Sequence, residues 1–228
     1  FPYMDNYNYH KGMNVIIQEL KDLLKTKSIG TDSDQALLLD FQAALETKPE
    51  KAIKLEKDAL AQIENITADN ARLVSNLHAN LGGLYRMNGH PDLAREHMEK
   101  SISLLDQFNL LHINDSIPQI ANYAMFLTEQ QEPERGISEL QKLSGIIKEY
   151  HSDDCLDYAK VQETLGTIYL MTANLPQAKT HFKRAFKIYE KIWADEPEMI
   201  EAKYQEIQEL YPQIGFCIGK NLSGLLTK

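Results

Sequence analysis

The sequence is poor in what chemistry and membrane insertion usually require. Of 228 residues, two are cysteines, Cys155 and Cys217, and one is tryptophan. The cysteines stand far apart and match no metal-ligand spacing, so neither a disulfide framework nor a metal centre is expected, and free buried thiols are. No apolar run approaches the roughly 20 residues that a bilayer span needs, and no signal-peptide pattern is visible. The expected compartment is cytoplasmic, with no membrane partner. No strand pattern or β-hairpin dipeptide survives inspection, which points to a nearly all-α chain.

Positive charge is also scarce. Twenty-four Lys and Arg against thirty-three Asp and Glu leave a net charge of −9. Nucleic acid recognition needs clustered cations, so it is not expected. The one dense basic stretch, Lys179 through Arg184 to Lys187, shares its helix with Glu190 and reads as a solvated face. Catalytic signatures are missing too: there is no HExxH and no nucleophile elbow. Gly215 to Asn221 is one residue short of a phosphate loop, lacks the magnesium-binding hydroxyl and follows no strand. The seven His residues are scattered; His78 and His97 read as helix-surface residues. Asp153, Asp154 and Asp157 read as carboxylates at a helix start, where the dipole favours them. The chain is expected to be non-enzymatic, with no cofactor and no metal.

What the chain does have is a period. Asn80-Leu81-Gly82-Gly83-Leu84-Tyr85, then Gly89-His90-Pro91 and Ala94, Met98 and Ser101, reads as one helical hairpin. Gly82 sits where two helices approach closely and Tyr85 fills the space beside it. Pro91 opens the second helix, where its missing N–H costs nothing. Steps of 42 residues carry the slot of Gly82 through Asp40, Gly82, Ala124 and Gly166. The slot of Ala94 runs through Ala52, Ala94, Gly136 and Ala178, and that of Met98 through Glu56, Met98, Leu140 and Phe182. Pro49, Pro91 and Pro133 keep the same step, and Pro176 follows 43 residues later. Self-similarity at such a period marks a repeat array.

In chain order, 1–31 reads as a loose arm and a capping helix, Met13 to about Lys27, ended by Gly30. Residues 32–194 hold four 42-residue repeats. Asp32 or Ser33 is expected to cap the first. That repeat is degenerate, with Asp40 for Gly82 and Glu56 for Met98, as terminal repeats often are. Trp193 ends the fourth and is expected to pack on the next element. Residues 195–228 read as C-terminal capping helices, separated by Pro212; Asn221 to Leu226 echo Asn80 to Tyr85 at the wrong distance.

Leu81-Gly82-x-x-Tyr85 followed by Ala94, Met98 and Ser101 resembles the tetratricopeptide repeat. So does Leu165-Gly166-x-x-Tyr169 followed by Ala178, Phe182 and Ala185. The usual repeat is about 34 residues; the extra eight would add roughly 12 Å of helix, about one turn to each member of the pair. The long form, with Asn before Leu-Gly, is similar to the kinesin light chain subfamily and related bacterial proteins. The family's late proline is replaced by Asp106, Lys148 and Glu190, as a longer second helix requires. The resemblance implies a right-handed α-solenoid of about four helix pairs, with first helices lining a concave groove that binds a peptide or protein segment.

It also implies candidate binding residues. The family's groove Asn matches Asn80 and Asn122; Thr164 holds that slot in the fourth repeat. A carboxamide supplies both donor and acceptor for a peptide backbone, although each Asn could instead bridge neighbouring helices. Projecting the same face adds Asn76, Gly83, Arg86 and Met87, then Met125, Thr128 and Glu129, then Lys160, Glu163, Thr167 and Met171. The methionines suit varied apolar partners, with packing between repeats as the alternative. Arg86 could fork onto a carboxylate.

Two functions follow: an interaction module holding a protein or peptide ligand, or the peptide-sensing regulatory domain of a larger bacterial signalling or transcription regulator. A chain that opens on Phe1 rather than Met would suit a segment excised from such a regulator. The oligomeric state is not legible.

Overall fold

The computed structural model describes residues 12, 14–19, 21–22 and 31–210. Residues 12, 14–19 and 21–22 are helical. The helices that follow are α1 (Asp32–Leu45), α2 (Pro49–Ala61), α3 (Ala71–Met87), α4 (Pro91–Gln107), α5 (Ser116–Glu129), α6 (Pro133–Tyr150), α7 (Leu156–Met171), α8 (Leu175–Ile192) and α9 (Pro197–Leu210). No strand occurs among the described residues. The arm at 1–10, Gly30, Pro212, Gly215 to Asn221, Cys217 and the echo at Asn221 to Leu226 lie outside them.

The chain divides into two compact units, Phe1–Gln119 and Ile120–Lys228. In the first, α1–α2 and α3–α4 are helical hairpins. Ala36, Ala59 and Leu77 form a buried cluster, with Leu39, Leu60, Ile63 and Leu73 packed on it, so the second pair is seated on the first. In the second unit, Phe126, Leu140, Leu143, Ile147, Leu165, Phe182 and Tyr189 are sealed inside.

Local chemistry sets the boundaries. Pro49, Pro91 and Pro133 each begin a helix, and Pro176 follows the first residue of α8. There a ring with fixed φ and no N–H is tolerated. The cap of α1 is Thr31, not Asp32 or Ser33. Its hydroxyl accepts from Asp34 N at 3.2 Å while Asp34 Oδ2 accepts from Thr31 N at 2.9 Å. This reciprocal box needs an acid three residues on, and Thr31 has one in Asp34. At α7 the cap is Cys155, whose sulfur accepts from Tyr158 N at 3.4 Å. Asp154 instead pairs with Lys191. Cys155 is free and only partly covered, not buried.

The period appears in the backbone itself. Gly89, Gln131 and Ala173, spaced by 42, all have positive φ, at 75°, 64° and 58°. After each, an N–H reaches back to the helix it leaves: His90 to Tyr85 O at 2.9 Å, Glu132 to Leu127 O at 2.8 Å, Asn174 to Tyr169 O at 2.7 Å. That bond closes a left-handed helix terminus, and the reversals α3–α4, α5–α6 and α7–α8 share it.

The small-residue slots mark the helix crossings. A Cβ at Gly82 would lie 2.6 Å from Met98 Cγ, and one at Gly166 would lie 2.8 Å from Phe182 Cδ2. In the pair between them the glycine changes sides: a Cβ at Gly136 would lie 2.6 Å from the Ala124 carbonyl oxygen. Each crossing thus combines one glycine with one alanine, Gly82 with Ala94, Ala124 with Gly136, and Gly166 with Ala178. The second helices run through Asp106, Lys148 and Glu190 without proline, as the long repeat requires.

Candidate interaction surface

In the first unit, α3 carries two stripes. Val74, Leu77, Leu81 and Tyr85 face the core and are buried. Asn76, Asn80, Gly83 and Met87 recur at helical spacing on another face. Met87 is 81% exposed, and a Cβ at Gly83 would meet nothing within 4 Å. Arg86 is half-buried beside them.

The two asparagines of this stripe are not idle. Gln119 Nε2 donates to Asn76 Oδ1 at 2.5 Å, and Asn76 Nδ2 reaches Asp115 Oδ2 at 3.4 Å. Gln119 Oε1 also accepts from the buried hydroxyls of Ser75 and Ser101, at 2.8 and 2.5 Å. Arg72 Nε donates to Asp115 at 2.6 Å and holds that carboxyl below its ordinary range. Asn80 Nδ2 donates to Asp40 Oδ1 at 2.9 Å and to Glu56 Oε1 at 3.1 Å. The amide hydrogens of Asn80 therefore point to neighbouring helices, leaving its oxygen as the group to offer a ligand.

In the second unit, Asn122 and Glu129 on α5 are exposed and Met125 is half-buried. Thr128 and Met171 line one open cleft of about 350 Å³, with Gln131, Pro133, Glu134 and Thr172. On α7, Thr164 and Thr167 turn their hydroxyls onto the carbonyls of Lys160 and Glu163, at 2.9 and 3.1 Å. Lys160 lies 3.8 Å from Asp157. The Glu163 carboxylate accepts from the Tyr189 hydroxyl at 2.6 Å and from Lys203 Nζ at 2.9 Å. Burial and the Glu163 charge push the Tyr189 phenol upward. For Lys203, desolvation pulls the ammonium down but Glu163 and Glu206 outweigh it, so the group stays charged. Trp193 stacks back on Tyr189, with centroids 4.9 Å apart.

Two further clusters went unseen in the sequence. His78 and His97 are not surface residues. Both are half-buried, and their Nδ1 atoms lie 2.8 Å apart, one donating and one accepting. Burial, then the neighbouring His97, pulls His78 down to about 4, and burial lowers His97 as well. The other cluster is Asp40 with Glu56. Their slots, 42 residues before the touching pair Gly82 and Met98, were the signal that could have found it.

Among the described residues, no three His, Cys, Asp or Glu side chains are grouped to hold a metal ion, and no helix is long and apolar enough to cross a membrane.

Comparison with known proteins places this architecture. Residues 116–191 match the family model described as tetratricopeptide repeat. Crystal structures share the fold. BtubC (BKLC) from P. vanneervenii is 18% identical, with a TM-score of 0.70 over 90% of this chain and 83% of that one. Residues 116–191 are tetratricopeptide repeats.

Kinesin light chain nearly identical TPR-like repeats from Podosopora anserina give a TM-score of 0.63 at 12% identity, over 82% of this chain and 92% of that one. MamA gives 0.53 at 16% identity, over 83% of this chain and 97% of that one. A search of curated protein sequences finds no match. At these identities the likeness concerns the fold alone, an all-α solenoid of helix pairs.

Proposed function

We propose that this all-α solenoid is a non-enzymatic interaction module that grips a peptide or protein segment against the outward stripe of α3. The observation that carries the reading is Met87. An unbranched apolar side chain 81% exposed, one helical turn from Gly83, is an adaptable contact that the described residues leave uncovered. Arg86 stands beside it as a carboxylate partner, and Asn80 Oδ1 is available to a main-chain N–H. Asn76 adds polarity at the far end of the stripe. On α5 and α7, Asn122, Met125, Glu129, Lys160, Thr164 and Thr167 form the corresponding faces. Glu163, already holding Tyr189 and Lys203, contributes charge to its own unit first.

Selection of binders from a random peptide library on the whole chain tests this. Selected peptides should lose at least tenfold in affinity, about 1.4 kcal/mol, on Arg86→Glu with Met87→Glu. Asn80 is spared in that pair because its amide hydrogens hold Asp40 and Glu56. Unchanged affinity in the double variant would move the binding surface off α3.

A further inference from the structure

Asp40 and Glu56 meet at the crossing of α1 and α2, in the slots that Gly82 and Met98 fill at the crossing of α3 and α4. Two acids therefore stand where the second pair has hydrogen against thioether. Glu56 is 2% exposed. Its Oε1 accepts from Asn80 Nδ2 at 3.1 Å, and the same nitrogen donates to Asp40 Oδ1 at 2.9 Å. Glu56 Oε2 is buried and receives no donor.

Two ionised carboxylates cannot satisfy this arrangement. Neither has a hydrogen to give, and the buried Glu56 charge would stand beside that of the half-buried Asp40 without a counter-ion. A proton on Glu56 Oε2 resolves it: that oxygen becomes a donor to Asp40, a hydrogen bond joins the two carboxyls, and one negative charge remains. The groups facing Glu56 agree. From α1 the facing group is the carboxyl of Asp40, and from α3 it is the non-ionisable amide of Asn80. On α2, Lys57 turns away, with Nζ 5.6 Å from the centre of the Tyr85 ring. Burial, followed by the Asp40 charge, pushes Glu56 up to about 9, and burial raises Asp40 as well.

We propose that Asp40, Glu56 and Asn80 form a one-proton lock between the first two helix pairs, closed while the carboxyls share a proton and released when it is lost. In the closed state Asn80 donates one amide hydrogen to each acid, so three helices meet at a single hydrogen-bonded knot. Loss of the proton places two like charges in contact and leaves both amide bonds strained by repulsion. The α1–α2 hairpin then loosens from α3.

Carbon-detected NMR of the Glu56 carboxyl and the Asn80 side-chain amide, on the whole chain between pH 5 and 10, tests this. Both signals should move together with a midpoint near 9. Amide exchange in α1 and α2, corrected for base catalysis, should quicken at least tenfold across that midpoint, while α7 and α8 stay unchanged. Glu56→Gln, which carries the donor permanently, should remove the transition. Asp40→Gly with Glu56→Met rebuilds the Gly82–Met98 contact and should be folded and equally flat. A Glu56 midpoint below pH 6, or a wild-type exchange profile that Glu56→Gln leaves intact, would overturn the lock.

Discussion

The His97 ring lies stacked on Tyr85, with centroids 5.4 Å apart and planes 26° from parallel. Two periods later, 84 residues on, His181 stacks on Tyr169 at 5.3 Å and 19°. The partner nitrogen recurs as well: His97 Nδ1 meets His78 Nδ1 at 2.8 Å, and His181 Nδ1 meets Gln162 Oε1 at 2.9 Å. His78 and Gln162 are also 84 apart. The third repeat has Leu127 and Glu139 in the stacking slots and makes no such pair. A flat ring over the tyrosine, fixed by one hydrogen bond from the preceding helix, is a unit this chain uses twice.

This recurrence supplies its own variant. His78→Gln copies the Gln162–His181 pair and should fold with stability within about 1 kcal/mol of wild type at pH 7. Its effect should emerge in acid. The folded His78 sits near 4 while the free side chain titrates near 6.5. Between those values the unfolded chain binds the extra proton, so stability falls as pH falls. Wild type should lose several degrees of Tm between pH 6.5 and 5, and the variant distinctly less. Glu56 works in the opposite sense: with its folded value raised, stability falls as pH rises from about 4.5 towards 9. His78→Gln should flatten the acid limb and Glu56→Gln the alkaline limb. Melting curves across pH check both, and equal slopes in His78→Gln and wild type would dismiss the histidine argument.

Glycine substitutions should separate by position. At Gly136 an added Cβ meets the Ala124 backbone at 2.6 Å, which only a shift of α5 against α6 can relieve. Gly136→Ala should cost about 1–3 kcal/mol. Gly83 and Gly145 are helical with nothing within 4 Å, and alanine there should stabilise by about 0.5–1 kcal/mol. Gly145 lies off the proposed contact stripe and is the cleaner control. Urea denaturation of the three variants checks the order.

Substitution in the opposite direction should help at the chain reversals. Gln131 and Ala173 hold φ of 64° and 58° where the second repeat has Gly89. A left-handed non-glycine residue costs roughly 1–2 kcal/mol, partly offset by the greater freedom of glycine in the unfolded chain. Gln131→Gly and Ala173→Gly should each raise stability by about 0.5–1 kcal/mol. A fall in urea midpoint would show that those side chains earn their strain.

The period carried the fold a long way. Gly82, Tyr85, Ala94 and Met98 were legible as a crossing because a small residue and a bulky one alternate at one helix spacing. The three prolines marked helix starts because the first turn has N–H groups to spare. Individual side chains were harder. His78 and His97 read as surface residues because projection of one helix does not reveal what the next brings over it. Asn80 read equally as a clamp or as a bridge between helices, and its amide hydrogens go to Asp40 and Glu56, acids in slots where the clearer repeats have none. Glu163 projected onto the open face of α7, yet its partner Lys203 belongs to α9, which lies outside the period. A repeat register says which positions are equivalent; it says nothing of the residues that break it.

The Glu163–Lys203 contact is the last test of that distinction. The two side chains are only 20% and 19% exposed. Lys203 also reaches Glu206 at 3.0 Å and lies 5.9 Å from the centre of the Tyr189 ring. Lys203→Met would keep the stem's packing while leaving Glu163 with the Tyr189 hydroxyl alone. A largely covered carboxylate stripped of its cation costs more than an exposed one, here about 1–3 kcal/mol after allowance for residual solvent. Lys191, paired with Asp154 where both side chains are more than half exposed, offers the comparison: Lys191→Met should cost far less, because solvent screens an exposed pair. Tyr189→Phe removes a donor but keeps the cation and should fall between, near 1 kcal/mol. Urea midpoints should rank the three in that order, with exchange protection of α9 lost in Lys203→Met first. If Lys203→Met and Lys191→Met proved equal, α9 would be held by the stacked rings of Phe186 and Tyr204 and not by charge.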